Sequence, residues 1–472
     1  MSSMAGGKLV KALALTAGVA LSFAPGRAVW ADNITDAFIG AYNTSGLLEQ
    51  NRALLRAADE DVAIALSALR PIINWTVAIS SNYNRRNISD VVTRTDPNNF
   101  FTGLTLSQLL YDGGAAVLGK QSAQETVLST RQTLVDIEQQ VLFRGANAYL
   151  EVLLQEETVQ IRLNNVDVSA EELRASQDRF DVGEVTRTDV ALSQAQLASS
   201  QADLAVARGN LDTARAEYVN AVGKSPGRTA GQPSLPNLPS SEPQAVSLAQ
   251  RNHPAILSAQ HQVRAFDLIV AQQRANLGPN VSLNAFAGIT ETYDNDDNIE
   301  DGSVSLDFNQ PIYAGGRLAA SVRRAMATRD SSRANLLNVQ KDIAQGVTDA
   351  YARFQAASAS LRASSERVRA SNVAFDGIRE EATLGARTTL DVLNAQQDLL
   401  DAQLAEVASR IERSRAAYQL VQAQGLLTAE RLGLAVQIYD PTLYYNLVKK
   451  APAQVSRQSK DLDRVLKALR RD

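Results

Sequence analysis

Eleven positions of this chain recur at one fixed offset, 202 residues apart. "LTLSQLLYDGG" at 104–114 returns as "LDFNQPIYAGG" at 306–316, sharing Leu104/Leu306, Gln108/Gln310, Tyr111/Tyr313, Gly113/Gly315 and Gly114/Gly316. Ala148-Tyr149 returns as Ala350-Tyr351. "RFDVGEVTRTDV" at 179–190 returns as "EATLGARTTLDV" at 381–392, sharing Gly183/Gly385, Thr186/Thr388, Asp189/Asp391 and Val190/Val392. Three blocks held in register without a gap mean two copies of one unit. The copies are expected at 32–224 and 246–441. Between them, residues 225–245 form a linker: "SPGRTAGQPSLPNLPSSEPQ" holds five of the chain's thirteen prolines. Residues 442–472 form a tail.

Each copy is expected to run helix, two strands, long helix, turn, helix. No proline occurs between 115 and 180 or between 312 and 440, and Pro311 and Pro441 flank the second range. Val127, Leu134, Val141 and Ala148 fall seven apart, as do Leu128, Val135, Leu142 and Tyr149. After the first turn the rule continues through Val190, Leu197, Leu204, Leu211 and Tyr218. In the second copy it holds for Leu404, Ile411 and Tyr418 and for Leu393, Leu400 and Val407. Two adjacent seven-spaced stripes mean helices with more than one packing seam. A helix over 115–180 is roughly 100 Å long at 1.5 Å per residue. The helical hairpins are expected at about 115–222, with a tip at 181–188, and about 317–432, with a tip at 383–390.

The strands alternate. Ile73, Trp75, Val77 and Ile79 interleave with Asn74, Thr76, Ala78 and Ser80. Val304, Leu306 and Phe308 interleave with Ser303, Ser305, Asp307 and Asn309, and Val281, Leu283, Ala285, Ala287 and Ile289 form a third apolar edge. This period of two fits a sheet wet on one face. The strand hairpins are expected at about 72–111 and 280–313, joined by polar loops at 84–99 and 294–302. Trp75, Tyr83, Phe100, Phe101, Tyr111, Tyr293 and Tyr313 are expected near strand ends, where interfacial aromatics belong. Soluble hairpins packed on helices would alternate too, so the pattern alone leaves both readings open.

Residues 1–31 read as an export signal. Lys8 and Lys11 precede an apolar run at 12–23, and a small residue, Ala31, stands at the cleavage position. The other reading, a membrane anchor, requires a longer run. Net charge is -4, and loss of Lys8, Lys11 and Arg27 leaves -7. That acidity and the lack of a basic patch with interleaved aromatics argue against nucleic acid as a partner. Cysteine is absent and aromatics make up 5% of the chain. There is thus no disulfide framework and no lipid-carrying cysteine. No stretch of about 20 apolar residues follows the signal, so a mature chain that crosses a membrane must do so as a β-barrel. Four strands cannot close one, because about eight is the minimum. If these strands span a membrane, several chains must pool them.

No catalytic constellation emerges, so an enzyme is not expected, and neither is a cofactor. The two histidines, His253 and His261, lie eight apart without clustered acids. His253, before Pro254, reads as the first turn of a capped helix rather than a metal ligand. Gly113-Gly114 and Gly315-Gly316 lack the lysine and spacing of a phosphate loop and are expected to bend strand into helix. Asp189 and Asp391 are placed to cap the returning helices.

The duplicated strand-to-helix motif, the duplicated helix-turn-helix motif, "NHPAI" at 252–256 and "IYDP" at 438–441 resemble the TolC family of outer-membrane efflux proteins. The resemblance covers nearly all of the chain after the signal. It implies a mostly α fold with β, assembled as a homotrimer. Four strands from each chain would form a twelve-stranded barrel in outer-membrane lipid, continuous with a hollow α-helical barrel across the periplasm. The repeated turns would be periplasmic tips, six per trimer. The implied function is the exit duct of a tripartite efflux or type I secretion system. Its partners would be a periplasmic adaptor (membrane fusion) protein and an inner-membrane pump of RND, ABC or MFS type. A periplasmic coiled-coil scaffold or adaptor without a membrane barrel is the alternative. The family also implies an aspartate ring at the pore, matched by Asp391, and a latch, matched by Arg387 with Thr188 and Asp189 on the first tip.

Departures from the family pattern carry expectations of their own. Asn394 stands where a second ring aspartate is expected, and Ala382 where an aromatic latch is expected. Both imply a less acidic, less firmly closed constriction. Asn51 lies 20 positions before Pro71, whereas Asn252 lies 27 before Pro279. The first lead-in helix is therefore expected to be shorter or differently joined. The first strand motif has Leu109 where the second has Pro311. The tail at 451–472 lies beyond the family pattern. Leu462, Val465, Leu466 and Leu469 there suit one amphipathic helix or a disordered segment.

Overall fold

A computed structural model describes residues 32–95, 98–293 and 298–450, together with 456–457, 459–461 and 464. The signal at 1–31 and the apolar tail positions Leu462, Val465, Leu466 and Leu469 lie outside the described residues. Each unit opens with two short helices: α1 (Ile34–Thr44) and α2 (Gly46–Ser67), then α5 (Glu242–Asn252) and α6 (Pro254–Ala275). Strands β1 (Ile72–Ser81), β2 (Asn84–Ile88), β3 (Val91–Thr95) and β4 (Asn98–Tyr111) belong to the first unit, β5 (Asn280–Thr292) and β6 (Asn298–Asn309) to the second. Long hairpins follow, α3 (Ala115–Asp181) with α4 (Arg187–Val222) and α7 (Arg317–Thr383) with α8 (Thr389–Ala423). A final helix, α9 (Pro441–Val448), packs on α2.

The glycine pairs turn strand into helix. Gly113 and Gly114 have φ of 67° and 85°, and Gly315 and Gly316 have 59° and 79°. This left-handed backbone is open to glycine at no steric cost. Gly114 and Gly316 are the N-caps of α3 and α7, which are both 67 residues long, about 100 Å each.

The seven-residue stripes are buried where the hairpins meet the short helices. Val127, Leu134, Val141, Leu142, Ala148 and Tyr149 of α3 pack with Leu211 and Tyr218 of α4 and Ile411 and Tyr418 of α8. The rings of Phe38 and Tyr418 meet edge-on with centroids 5.7 Å apart, a favoured aromatic geometry. The linker crosses this core instead of hanging free. Tyr149 Oη donates to the Gly231 carbonyl at 2.8 Å, and its repeat partner Tyr351 donates to that of Ser240 at 3.4 Å. α7 differs from its counterpart. Apart from Val347 and Phe375, its buried residues are all alanines, and Leu337 and Val373 stand exposed.

The lead-in helices correct the sequence reading. α2 and α6 are both 22 residues long. The matching points are the N-caps Ser45 and His253, not Asn51 and Asn252. From these caps to Pro71 and Pro279 the offset is a constant 208, and it has fallen to 202 by Leu104 and Leu306. The extra residues of the first unit thus lie in its strand hairpin. There β2 and β3 form a ribbon in which Ile88 pairs with Val91. Ser89 and Asp90 turn it with φ of 52° and 66°, the two positive values of a tight hairpin turn. The expected irregular loop at 84–99 is therefore mostly ribbon. Of the loop expected at 294–302, residues 298–302 belong to β6, and 294–297 lie outside the described residues.

The four long strands form one antiparallel sheet in the order β1-β4-β5-β6. Trp75 pairs with Leu104, Leu104 with Ala287 and Ala287 with Gly302. Alternation then puts Ile73, Val77, Leu106, Val304, Leu306 and Phe308 on the face of Trp75, and Asn74, Thr105, Asn284, Ser303 and Ser305 on the other. Trp75 is 71% exposed, and β1 and β6 are exposed along their whole length. Both flank the sheet with one edge that pairs with no described strand. No described helix is long and apolar enough to cross a membrane.

Candidate functional site

The two tips have the same local construction. α3 ends over Gly183 (φ 82°), where the Glu184 N–H donates to the Arg179 carbonyl at 2.9 Å. α7 ends over Gly385 (φ 76°), where the Ala386 N–H donates to the Glu381 carbonyl at 2.9 Å. These bonds satisfy carbonyls that a helix end leaves free. Thr186 and Thr388 then N-cap the returning helices. Each accepts from the aspartate N–H three residues on, at 3.3 and 3.2 Å. Asp189 Oδ2 in turn accepts from the Thr186 N–H at 2.9 Å and hydroxyl at 2.7 Å. Asp391 Oδ2 does the same with Thr388, at 3.0 and 2.8 Å. This reciprocal box explains why the glycine-threonine-aspartate spacing occurs twice. The threonine hydroxyl and N–H hold the Asp189 carboxyl below the usual carboxylate range, and the Thr388 N–H and hydroxyl do so for Asp391.

Thr188, Arg387 and Asn394 lie on the surface. Arg387 pairs with Glu381 of its own hairpin at 2.7 Å, which raises its pKa further. Among the described residues it makes no bond to Thr188 or Asp189. Asn394 is exposed three residues beyond Asp391, on the same helix face. Ala382 is buried against Phe375, Val392 and Ala395.

Sequence reasoning missed what joins the two hairpins. Gln396 Nε2 of α8 donates to Asn165 Oδ1 at 2.8 Å and to Ser169 Oγ at 2.9 Å, both on α3. Asn165 Nδ2 donates to Ser200 Oγ of α4 at 3.0 Å, and Ser169 and Ser200 are bonded at 3.1 Å. All four are buried. Nearer the tips, Ser176 bonds Ser193 at 2.9 Å, and Arg379 of α7 pairs with buried Glu172 of α3 at 3.0 Å. The signal was present: Ser169 and Ser176 continue the seven-residue stripe of Val127, and Ser193 and Ser200 are seven apart. The seam therefore changes from apolar to hydroxylic as it nears the tips.

Away from the tips, the histidines have structural roles. His253 N-caps α6, its Nδ1 accepting from the Ala255 N–H at 3.2 Å, and burial lowers its pKa. His261 bonds Glu125 of α3 at 2.7 Å. Among the described residues no cluster could hold a metal ion.

A family model described as outer membrane efflux protein matches residues 42–224 and 245–426. The chain belongs to that family. The outer membrane efflux protein BepC of Brucella suis is 35% identical over 445 residues, covering 94% of this chain and 95% of that one. The outer membrane protein TolC of Escherichia coli is 25% identical over 395 residues, 79% of this chain and 78% of that one. In fold, the CmeC outer membrane channel of Campylobacter jejuni is similar with a TM-score of 0.73 and 16% identity, covering 89% of this chain and 90% of that one. The family is one of channels, not enzymes. This TolC-family protein is an outer-membrane exit duct for efflux or type I secretion, with helices reaching into the periplasm.

Proposed function

We propose that three copies of this chain close one duct. The observation that carries the reading is the pair of open edges on β1 and β6, in a sheet whose apolar face is exposed. Open edges are not tolerated in lipid. Pairing β6 of one copy with β1 of the next removes them and gives a twelve-stranded barrel, with Trp75 and its neighbours facing lipid. The weakly buried flank of α7 is then covered by the adjacent copy, and the hairpins form a hollow tube. At its periplasmic end, Asp391 is repeated three times around the axis, with Asn394 behind it. Arg387 exchanges Glu381 for Thr188 and Asp189 of a first tip as the end closes. The tips dock a periplasmic adaptor, and through it an inner-membrane pump of RND, ABC or MFS type. The two units are the repeats at 32–224 and 246–441.

Cysteine pairs test this, because the chain has no cysteine of its own. Within one chain β4 and β5 separate β1 from β6, at about 4.8 Å per strand step, too far for a disulfide. One cysteine on each edge, Val77→Cys with a scan along β6, should give covalent trimers on oxidation. Monomers alone across the whole scan would contradict the shared barrel.

A further inference from the structure

The sheet face opposite Trp75 carries an aromatic pair on a glycine floor. Phe101 of β4 and Phe286 of β5 are stacked, with centroids 5.8 Å apart and planes 18° apart. Between them in the register lies the cross-strand pair Gly103–Gly288. A Cβ on Gly103 would lie 2.7 Å from Phe101 Cζ, and one on Gly288 2.7 Å from Phe286 Cζ and 2.9 Å from Phe101 Cε2. The glycines are required because the ring ends come too close to leave room for a Cβ. Phe101 is thus not part of an interfacial girdle. It faces the polar side, where the two rings cover the glycine pair.

Charge on this face is one-sided. β1, β4, β5 and β6 contain no lysine or arginine; of their charged residues, Glu291 and Glu300 lie on the Trp75 face and Asp301 and Asp307 on this one. Gly288 pairs with Asp301 and Ser282 with Asp307, so both aspartates share the face of the rings. Asn284 and Ser305 hold Asp307 by hydrogen bonds at 2.5 and 3.0 Å. Asp301 is exposed. It stands directly across from the glycine that Phe286 covers, and paired positions place Cβ atoms about 5 Å apart.

We propose that this face binds organic cations that carry an aromatic ring. The solute ring stacks on the Phe101–Phe286 plate while its cationic group sits over the ring face and toward Asp301, where attraction to the π face and to the carboxylate add. The proposal rests on the barrel reading, in which this face lines the lumen and three such plates surround it. It makes the β end, and not only the tip, a place where the duct selects its cargo.

Single-channel recording in planar bilayers tests it, with benzyltrimethylammonium and tetramethylammonium as probes added from the β end. Wild type should show longer blockades with the aromatic cation. Phe101→Leu with Phe286→Leu keeps an apolar cover on the glycines and removes the π face. It should leave potassium conductance unchanged and cut the preference for the aromatic probe about 2- to 5-fold. Asp301→Asn should shorten blockades by both probes. A leucine variant with the wild-type preference would overturn the proposal. Should that variant form no channels, unchanged blockade in Asp301→Asn would overturn it instead. Wild-type protein that forms no channel at all would sink the barrel reading and the proposal together, whereas channels without aromatic preference would sink the proposal alone.

Discussion

Gln396 donates to Asn165 at 2.8 Å across the seam between α8 and α3, with both side chains buried. That bond and the neighbouring one to Ser169 tie the second hairpin to the first. Gln396→Ala leaves Asn165 Oδ1 without its donor, and an unsatisfied buried polar group costs about 1–3 kcal/mol. The seam carries few large apolar side chains here, so the loss should stay local. Amide exchange at 380–395 is expected to speed up with little change in the main thermal transition. Unchanged exchange at the tip would show that the two hairpins are held elsewhere.

Asp391→Asn should remove most of the cation selectivity contributed by the tip. Asparagine retains an oxygen that can accept from the Thr388 N–H, so the cap should survive. The sign of the pH effect follows from the depressed pKa. The carboxylate is held by its Thr388 bonds above the ordinary carboxylate pKa of about 3.9, and that contribution is lost only as pH falls through the lower folded value. Selectivity at the tip should therefore persist from pH 7 to about pH 5. Reversal potentials under a salt gradient measure this. An unchanged potential in Asp391→Asn would reduce Asp391 to a helix cap. Arg387→Ala should raise conductance and leave selectivity in place.

Much of this construction was legible in the sequence. The 202-residue offset gave the long helices, their glycine turns and the strand alternation, because period and punctuation are local properties of the chain. A capping role for Asp189 and Asp391 was legible for the same reason, although the N-caps are Thr186 and Thr388 and the aspartates close the box from the third position. The lengths of the lead-in helices were not, because Asn51 resembles Asn252 while Ser45 does the capping, and different side chains can cap alike. Nor was the role of the repeated Ala-Tyr pair. Tyr149 and Tyr351 both bind linker carbonyls, a contact between distant segments that no spacing encodes. The Ser169–Ser200–Gln396 seam shows the converse: it obeys the seven-residue rule, but hydroxyl groups do not read as core.

Asp59 is fully buried on α2, and neither carboxyl oxygen has a hydrogen-bond partner. Burial raises its pKa from 3.8 to about 6, with Arg131 opposing the shift and Glu60 adding to it. For a carboxylate with a raised folded pKa, ionisation penalises the folded state. That penalty is absent below about pH 4, grows toward pH 6 and is complete above it. Asp59→Asn should thus stabilise the protein at pH 7.5, on the order of 1–2 kcal/mol, and change little at pH 4. Thermal melts at both values test this. Destabilisation at pH 7.5 would mean that attraction to Arg131 outweighs the cost of burial.

The β2–β3 ribbon extends the first strand hairpin at the end away from the helices. Long loops of outer-membrane barrels lie outside the cell. An epitope inserted at Ser89–Asp90 should be reachable by antibody on intact cells. Labelling only after the outer membrane is permeabilised would reverse the orientation.

The shared barrel is tested most directly by the native mass of the protein extracted in detergent. If the proposed twelve-stranded barrel forms from four strands per chain, a trimer should be the stable species, and its mass should persist until the detergent micelle or the fold is disrupted. A monomer or dimer as the sole species would contradict the account.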